Sequence, residues 1–106
     1  MKQKFRIPDS FQLHGITFAV RYDSNLCRDT DHTGEARYRT AEIVLNAPNT
    51  NWPPQNLLDQ TFCHELVHMI LNEMQSKLHS DESHVDLFAS LLHQFLITAE
   101  YGEDTK

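Results

Sequence analysis

The apolar positions of this chain change their period once, near the middle. From Ile16 to Tyr22 they alternate, with Ile16, Phe18, Val20 and Tyr22 on one side and Thr17, Ala19 and Arg21 on the other. A repeat of two is that of a half-buried strand. Phe11 to His14 gives a shorter strand that stops at Gly15, a natural turn residue. Asp23 to Gly34 (DSNLCRDTDHTG) is polar and turn-rich and predicts a loop. Glu35 to Asn46 is β-rich again, through Tyr38, Thr40, Ile43, Val44 and Leu45. The connections are too short for crossover helices, so the expected sheet is antiparallel, with two or three strands. Ala47 to Pro54 (APNTNWPP) then breaks the pattern, because its prolines and asparagines suit neither a strand nor a helix interior. Beyond it Leu57, Leu58, Phe62, Leu66, Met69 and Ile70 recur at helical spacing, with no Gly or Pro from Gln55 to Lys77. A second helix is expected from Ser80 or Asp81, either of which can cap it. Its stripe is Val85, Phe88, Ala89, Leu92, Phe95, Leu96 and Ala99, and Gly102 offers a stop. The prediction is an α+β fold: a small antiparallel sheet followed by two packed helices, as one domain over residues 1–106.

The first of these helices carries His64-Glu65-Leu66-Val67-His68, an H-E-x-x-H. Four residues turn a helix by ~400°, so the two imidazoles share one face, one turn apart. That spacing suits two ligands of one Zn²⁺. Glu65, offset by ~100° from His64, can reach a zinc-activated water without being a ligand, which is the place of a general base. The neighbours Thr61, Phe62, Cys63, Leu66, Val67, Met69 and Ile70 carry no charge, so the site is expected in partly dry surroundings.

The second helix repeats polar residues on one stripe. Glu82, Asp86, Ala89 and His93 fall at i, i+4, i+7 and i+11. Carboxylates are rarely packed against a helix unless paired or bound to a cation. If the stripe faces the first helix, Glu82 can be the third zinc ligand. Asp86, one turn on, can accept the outer N–H of a ligand histidine and orient it. The stretch has a geometric condition attached. A first helix continuous to Lys77 would bring Asp86, Ala89 or His93 opposite the motif. Glu82 requires that helix to end near Asn72 to Met74.

Composition limits what else the chain can do. Nine Lys and Arg stand against fifteen Asp and Glu, for a net charge of −6. With no basic cluster, neither a nucleic acid nor an anionic membrane is expected as partner. No apolar run approaches the ~20 residues of a membrane span. The start, MKQKFRIPDSFQ, lacks the pattern of a signal peptide, so a cytoplasmic location is expected, with Cys27 and Cys63 as reduced thiols.

The two helical motifs resemble known families. His64-Glu65-x-x-His68 followed by Glu82-x-x-x-Asp86 is similar to the gluzincin arrangement. Glu82-Ser83-His84-Val85-Asp86-Leu87-Phe88-Ala89 resembles the corresponding helix of ImmA/IrrE-type peptidases, with Val85 where Ala is usual. Ile7-Pro8-Asp9-Ser10-Phe11 and Glu42-Ile43-Val44-Leu45-Asn46 resemble segments of compact zincin-like proteins of phages and prophages. The resemblance implies a minimal zincin-like fold, zinc at His64, His68 and Glu82, and Glu65 as catalytic base. It implies that a strand, Arg37 to Leu45, lines the cleft and can pair with an extended substrate. The gap from His68 to Glu82 is short for these families. A histidine third ligand, as in SprT-type zincins, would be His79 or His84. Zincins commonly add one hydrogen-bond donor beside the metal. His93, Tyr38 and Tyr101 can be considered for it, although packing explains each of them as well.

The function expected is that of a zinc-dependent metallopeptidase acting on a peptide or protein substrate. The alternative is a non-catalytic, zinc-stabilised domain that binds a partner protein through the same three ligands.

Overall fold

The computed structural model describes residues 5–30, 32–48 and 52–102. Strand β1 (Ser10–Leu13) turns at His14-Gly15 into β2 (Ile16–Asp23). A short helix, α1 (Leu26–Thr30), follows, then β3 (Gly34–Arg37) and β4 (Glu42–Asn46). Helix α2 (Gln55–Glu73) carries the H-E-x-x-H, and α3 (Glu82–Thr98) ends the described fold. The fold is α+β. The sheet is somewhat larger than expected, with four strands in the order β1-β2-β4-β3.

One pairing differs in kind. β2 and β4 are parallel, with Val20 opposite Ile43 and Tyr22 opposite Leu45. The Asp23–Gly34 segment explains this. It is not only a loop, since α1 folds within it and carries the chain past the place that β4 later fills. The Glu35–Asn46 stretch is two strands, not one. The chain reverses between Tyr38 and Ala41, where Ala41 takes a left-handed conformation (φ 56°) and donates its N–H to the Tyr38 carbonyl. β4 therefore returns between β2 and β3, and Ile43, Val44 and Leu45 are all buried. An interior strand covered on both faces reads as a continuous apolar run instead of alternating. Residues 49–51 of the Pro- and Asn-rich breaker lie outside the described residues.

Helix α2 lies at the centre, against β3 and β4 on one side and α3 on the other. Phe62, Cys63, Val67 and Met69 on α2 meet Phe18, Ile43 and Leu45 from the sheet and Val85 and Ala89 from α3. Phe11 stacks on Phe18 and meets Phe62 edge-on, which ties the first strand to the helix. The stripe of α3 is narrower than its sequence predicts. Val85 and Ala89 are buried, but Phe88 and Phe95 are 45% and 58% exposed. A helix that packs on a single partner helix buries only the narrow strip facing it. Its end also comes earlier, at Thr98 with Ala99 as the capping residue, not at Gly102.

The end of α2 is the feature that positions the site. No Gly or Pro marks it, yet the helix stops at Glu73. Gln75 takes the left-handed conformation, φ 57°. Its N–H bonds to the Asn72 carbonyl, and that of Ser76 to Leu71, both at 2.9 Å. That pair of reversed bonds is a Schellman motif, which normally has Gly at this place. Ser76 then caps a 3-10 turn (Lys77–Ser80) through Leu78 N–H, and Asp81 caps α3 through His84 N–H at 3.1 Å. Glu82 is thus the first residue of α3, facing the middle of α2. Because a Cβ in the left-handed region is strained, Gln75→Gly is expected to raise stability by about 0.5–1 kcal/mol. Urea unfolding followed by circular dichroism would measure the gain.

Candidate metal centre

The helix period places His64 and His68 on one side of α2, and the early stop of that helix brings Glu82 to them. His64 Nε2 lies 3.1 Å from Glu82 Oε1, and His68 Nε2 lies 3.2 Å from Glu82 Oε2. The two Nε2 atoms are 3.2 Å apart. One ligand atom from each of the three residues falls within 4.8 Å of the others. His68 is nearly buried, whereas the Glu82 side chain is 71% exposed, so the group sits in the wall of an open cleft.

The outer nitrogens decide what the inner ones can do. His68 Nδ1 faces the backbone carbonyl of His79, an acceptor, and so carries the hydrogen. Its Nε2 is therefore left with a bare lone pair. His64 Nδ1 lies 3.5 Å from Asp86 Oδ1, within ion-pair reach but longer than a good hydrogen bond. Asp86 is 83% exposed, so its hold on His64 is solvent-screened. The His68 lone pair, His64 Nε2 and the Glu82 carboxylate converge on one point. Such an arrangement calls for a proton or a cation at its centre. Two imidazoles and a carboxylate are the donor set of a catalytic zinc site with an open position, so the residues fit that metal.

Glu65 faces the same cleft on its other side. Burial pushes its carboxyl up to about 7. The charge of His64 opposes that rise, Glu82 and Glu35 add to it, and the backbone amide of Ala36 opposes it again. Cys63, next to His64 in sequence, points into the core, where burial pushes its thiol up to about 11. It stays a neutral core residue, and both cysteines are free thiols.

The other residues raised by the sequence go elsewhere. His79 supplies its carbonyl, not its ring, to the centre; the ring packs edge-on against Tyr38 at 5.7 Å. His84 turns its ring toward Phe88, along α3. His93 is buried, with Nε2 lacking a partner among the described residues. The strand beside the cleft is β3, Gly34–Arg37, and not the whole of Arg37 to Leu45, since Glu42–Asn46 is the interior strand. The cleft has two lobes of about 290 and 490 Å³, one reaching Asp86 and one reaching Tyr38.

Two contributions to the site have little or no signature in the sequence. One is the His79 carbonyl, a backbone atom. The other is Gly34, where β3 runs close over α2. A Cβ there would collide with Thr61 Cγ2 and stand 3.2 Å from Glu65 Cγ. A glycine closing a polar loop is the only hint the sequence holds, and it reads equally as a turn.

Two histidines a helical turn apart, a glutamate beside them and a carboxylate from the next helix make a site of the metallopeptidase kind. The chain belongs to the SprT-like family, a zinc-metallopeptidase-like family with H-E-x-x-H, whose model matches residues 2–101. No curated protein and no solved structure matches the chain. The likeness of Glu82–Ala89 to ImmA/IrrE-type peptidases, and that of residues 7–11 and 42–46 to phage zincin-like proteins, stays at the level of the motif, within a chain whose family is SprT-like.

The close approach at Gly34 gives a test. Gly34→Ala is expected to cost about 1–3 kcal/mol through overpacking. Thr61→Ser removes the methyl group that the new Cβ would meet. The double variant should recover part of the loss, and a double-mutant cycle on chemical unfolding would measure that coupling.

Proposed function

We propose that the protein is a zinc-dependent peptidase in which His64, His68 and Glu82 hold the metal and Glu65 is the general base. The observation that carries this reading is the convergence of the two Nε2 atoms and the Glu82 carboxylate, with the outer nitrogen of His68 turned to a backbone carbonyl. Family membership supports it. When bound, zinc would polarise the substrate carbonyl and make water a better nucleophile at neutral pH. The chain's own residues do the rest. Glu65 takes a proton from the attacking water and later gives one to the departing amine. The His79 carbonyl fixes the tautomer of His68, and the Asp86 carboxylate stands 3.5 Å from the outer nitrogen of His64.

The substrate is a peptide or protein segment in extended form. β3 is an outer strand of the sheet, and no described strand pairs with its far side. Its outward backbone groups, apart from the Ala36 amide that bonds to Glu65, are available to an extended chain passing over the cleft. Nucleic acid and membrane have no place in this reading. No helix among the described residues is long and apolar enough to cross a membrane. A cytoplasmic setting suits two free thiols.

Metal analysis of the purified protein is expected to give about one zinc per chain, as one three-ligand site requires. Glu82→Ala should lower zinc affinity by at least about 100-fold. Glu65→Gln should keep the zinc and the circular dichroism spectrum while slowing cleavage of fluorescent casein by about 10²–10⁴-fold. Equal turnover by Glu65→Gln would overturn the peptidase reading and leave the zinc-stabilised binding domain in its place.

A further inference from the structure

An anion that develops in this cleft meets unfavourable company. Its walls carry the carboxylates of Glu35, Glu65 and Glu82. The inner nitrogen of His68 presents a lone pair, and the inner nitrogens of both histidines would be taken up by a bound metal. Peptide hydrolysis places negative charge on the former carbonyl oxygen, and that charge needs a preorganised donor. The sequence offers three candidates for it, and the structure separates them.

His93 is buried in the packing of α3, two turns beyond Asp86, and does not line either lobe of the cleft. Tyr101 lines a different hollow, with residues 5–9 and Leu96. Tyr38 stands at the end of β3, where the chain turns toward β4, and lines the cleft together with His64, Glu65, His68 and Glu82. Tyr38 and His32 are the side chains of that lobe that can donate a hydrogen bond without being proposed ligands. His32, the remaining candidate donor in that lobe, is exposed on the segment before β3.

Tyr38 is also held. Its ring meets the His79 ring edge-on, with centroids 5.7 Å apart and planes at 86°. The carbonyl of the same His79 accepts from His68 Nδ1. One residue of the 3-10 turn thus fixes both a proposed ligand and this tyrosine. Burial and the nearby charges of Glu65 and Glu82 raise the phenol's affinity for its proton, so it enters the reaction as O–H.

We infer that Tyr38 is a further catalytic residue, whose phenol donates a hydrogen bond to the oxyanion that forms on the scissile carbonyl. The inference rests on the peptidase reading above. No proton is transferred by Tyr38; the water proton goes to Glu65 and from there to the amine nitrogen.

Tyr38→Phe tests it, because the ring that packs on His79 remains and only the hydroxyl goes. With zinc-loaded protein and fluorescent casein, kcat should fall by about 100-fold with KM nearly unchanged. Zinc content and melting temperature should match wild type. A phosphonamidate dipeptide, whose tetrahedral anion imitates the reacting centre, gives a readout independent of turnover. Calorimetry should show it binding about tenfold more weakly to Tyr38→Phe, the loss of one charge-assisted hydrogen bond. Wild-type kcat and wild-type phosphonamidate affinity in Tyr38→Phe, with Glu65→Gln inactive, would overturn this inference alone. Zinc-loaded wild type that neither cleaves casein nor binds the phosphonamidate would overturn the peptidase reading and this inference with it.

Discussion

Two imidazole nitrogens held 3.2 Å apart, with a carboxylate closing the triangle, do not assemble spontaneously. Like partial charges repel, and solvent would rather hydrate each group separately. The fold imposes the arrangement. A buried central helix holds both histidines on one side. The His79 carbonyl turns one ring, and Asp86 stands beside the outer nitrogen of the other. The rest of the molecule supports that constraint.

The support is built largely from backbone. A helix that ran one turn further would move Glu82 away from the histidines. The left-handed Gln75 stops it, and two serial caps, Ser76 and Asp81, aim the following segments. On the opposite wall, β3 can approach Glu65 only because residue 34 has no side chain. The site is therefore open on one side, toward the exposed carboxylates of α3, and tightly shut on the other. Such asymmetry leaves Glu82 open to solvent while Glu65 is held in drier surroundings.

Much of this was legible in the sequence where side chains carry the information. The period of α2, the place of the motif on it, the start of α3 and the α+β class all follow from apolar spacing and capping residues. The unread parts have physical reasons. A left-handed Gln has no compositional mark, so the end of α2 could be stated only as a condition that Glu82 sets. The split of residues 35–46 into β3 and β4 shows in the sequence only as the weak β propensity of Ala41-Glu42, which marks a soft spot without revealing a reversal. The parallel pairing depends on α1, five residues inside a segment that reads as polar loop. Phe88 and Phe95 look like core residues because their spacing is correct; that α3 has only one helix to lean on is a fact of tertiary structure. The His79 carbonyl belongs to every residue type alike.

The three donors come from two helices, with Glu82 18 positions after His64. A cation held among them is a cross-link as well as a reagent. It would remove from the unfolded chain the freedom of that whole segment, on the order of 3 kcal/mol in the chain-entropy picture used for disulfides. For a domain of this size that is a large part of all the stability it is expected to have. Cation supply would then set how long the molecule persists, and surroundings that withhold the cation would be removing the protein itself.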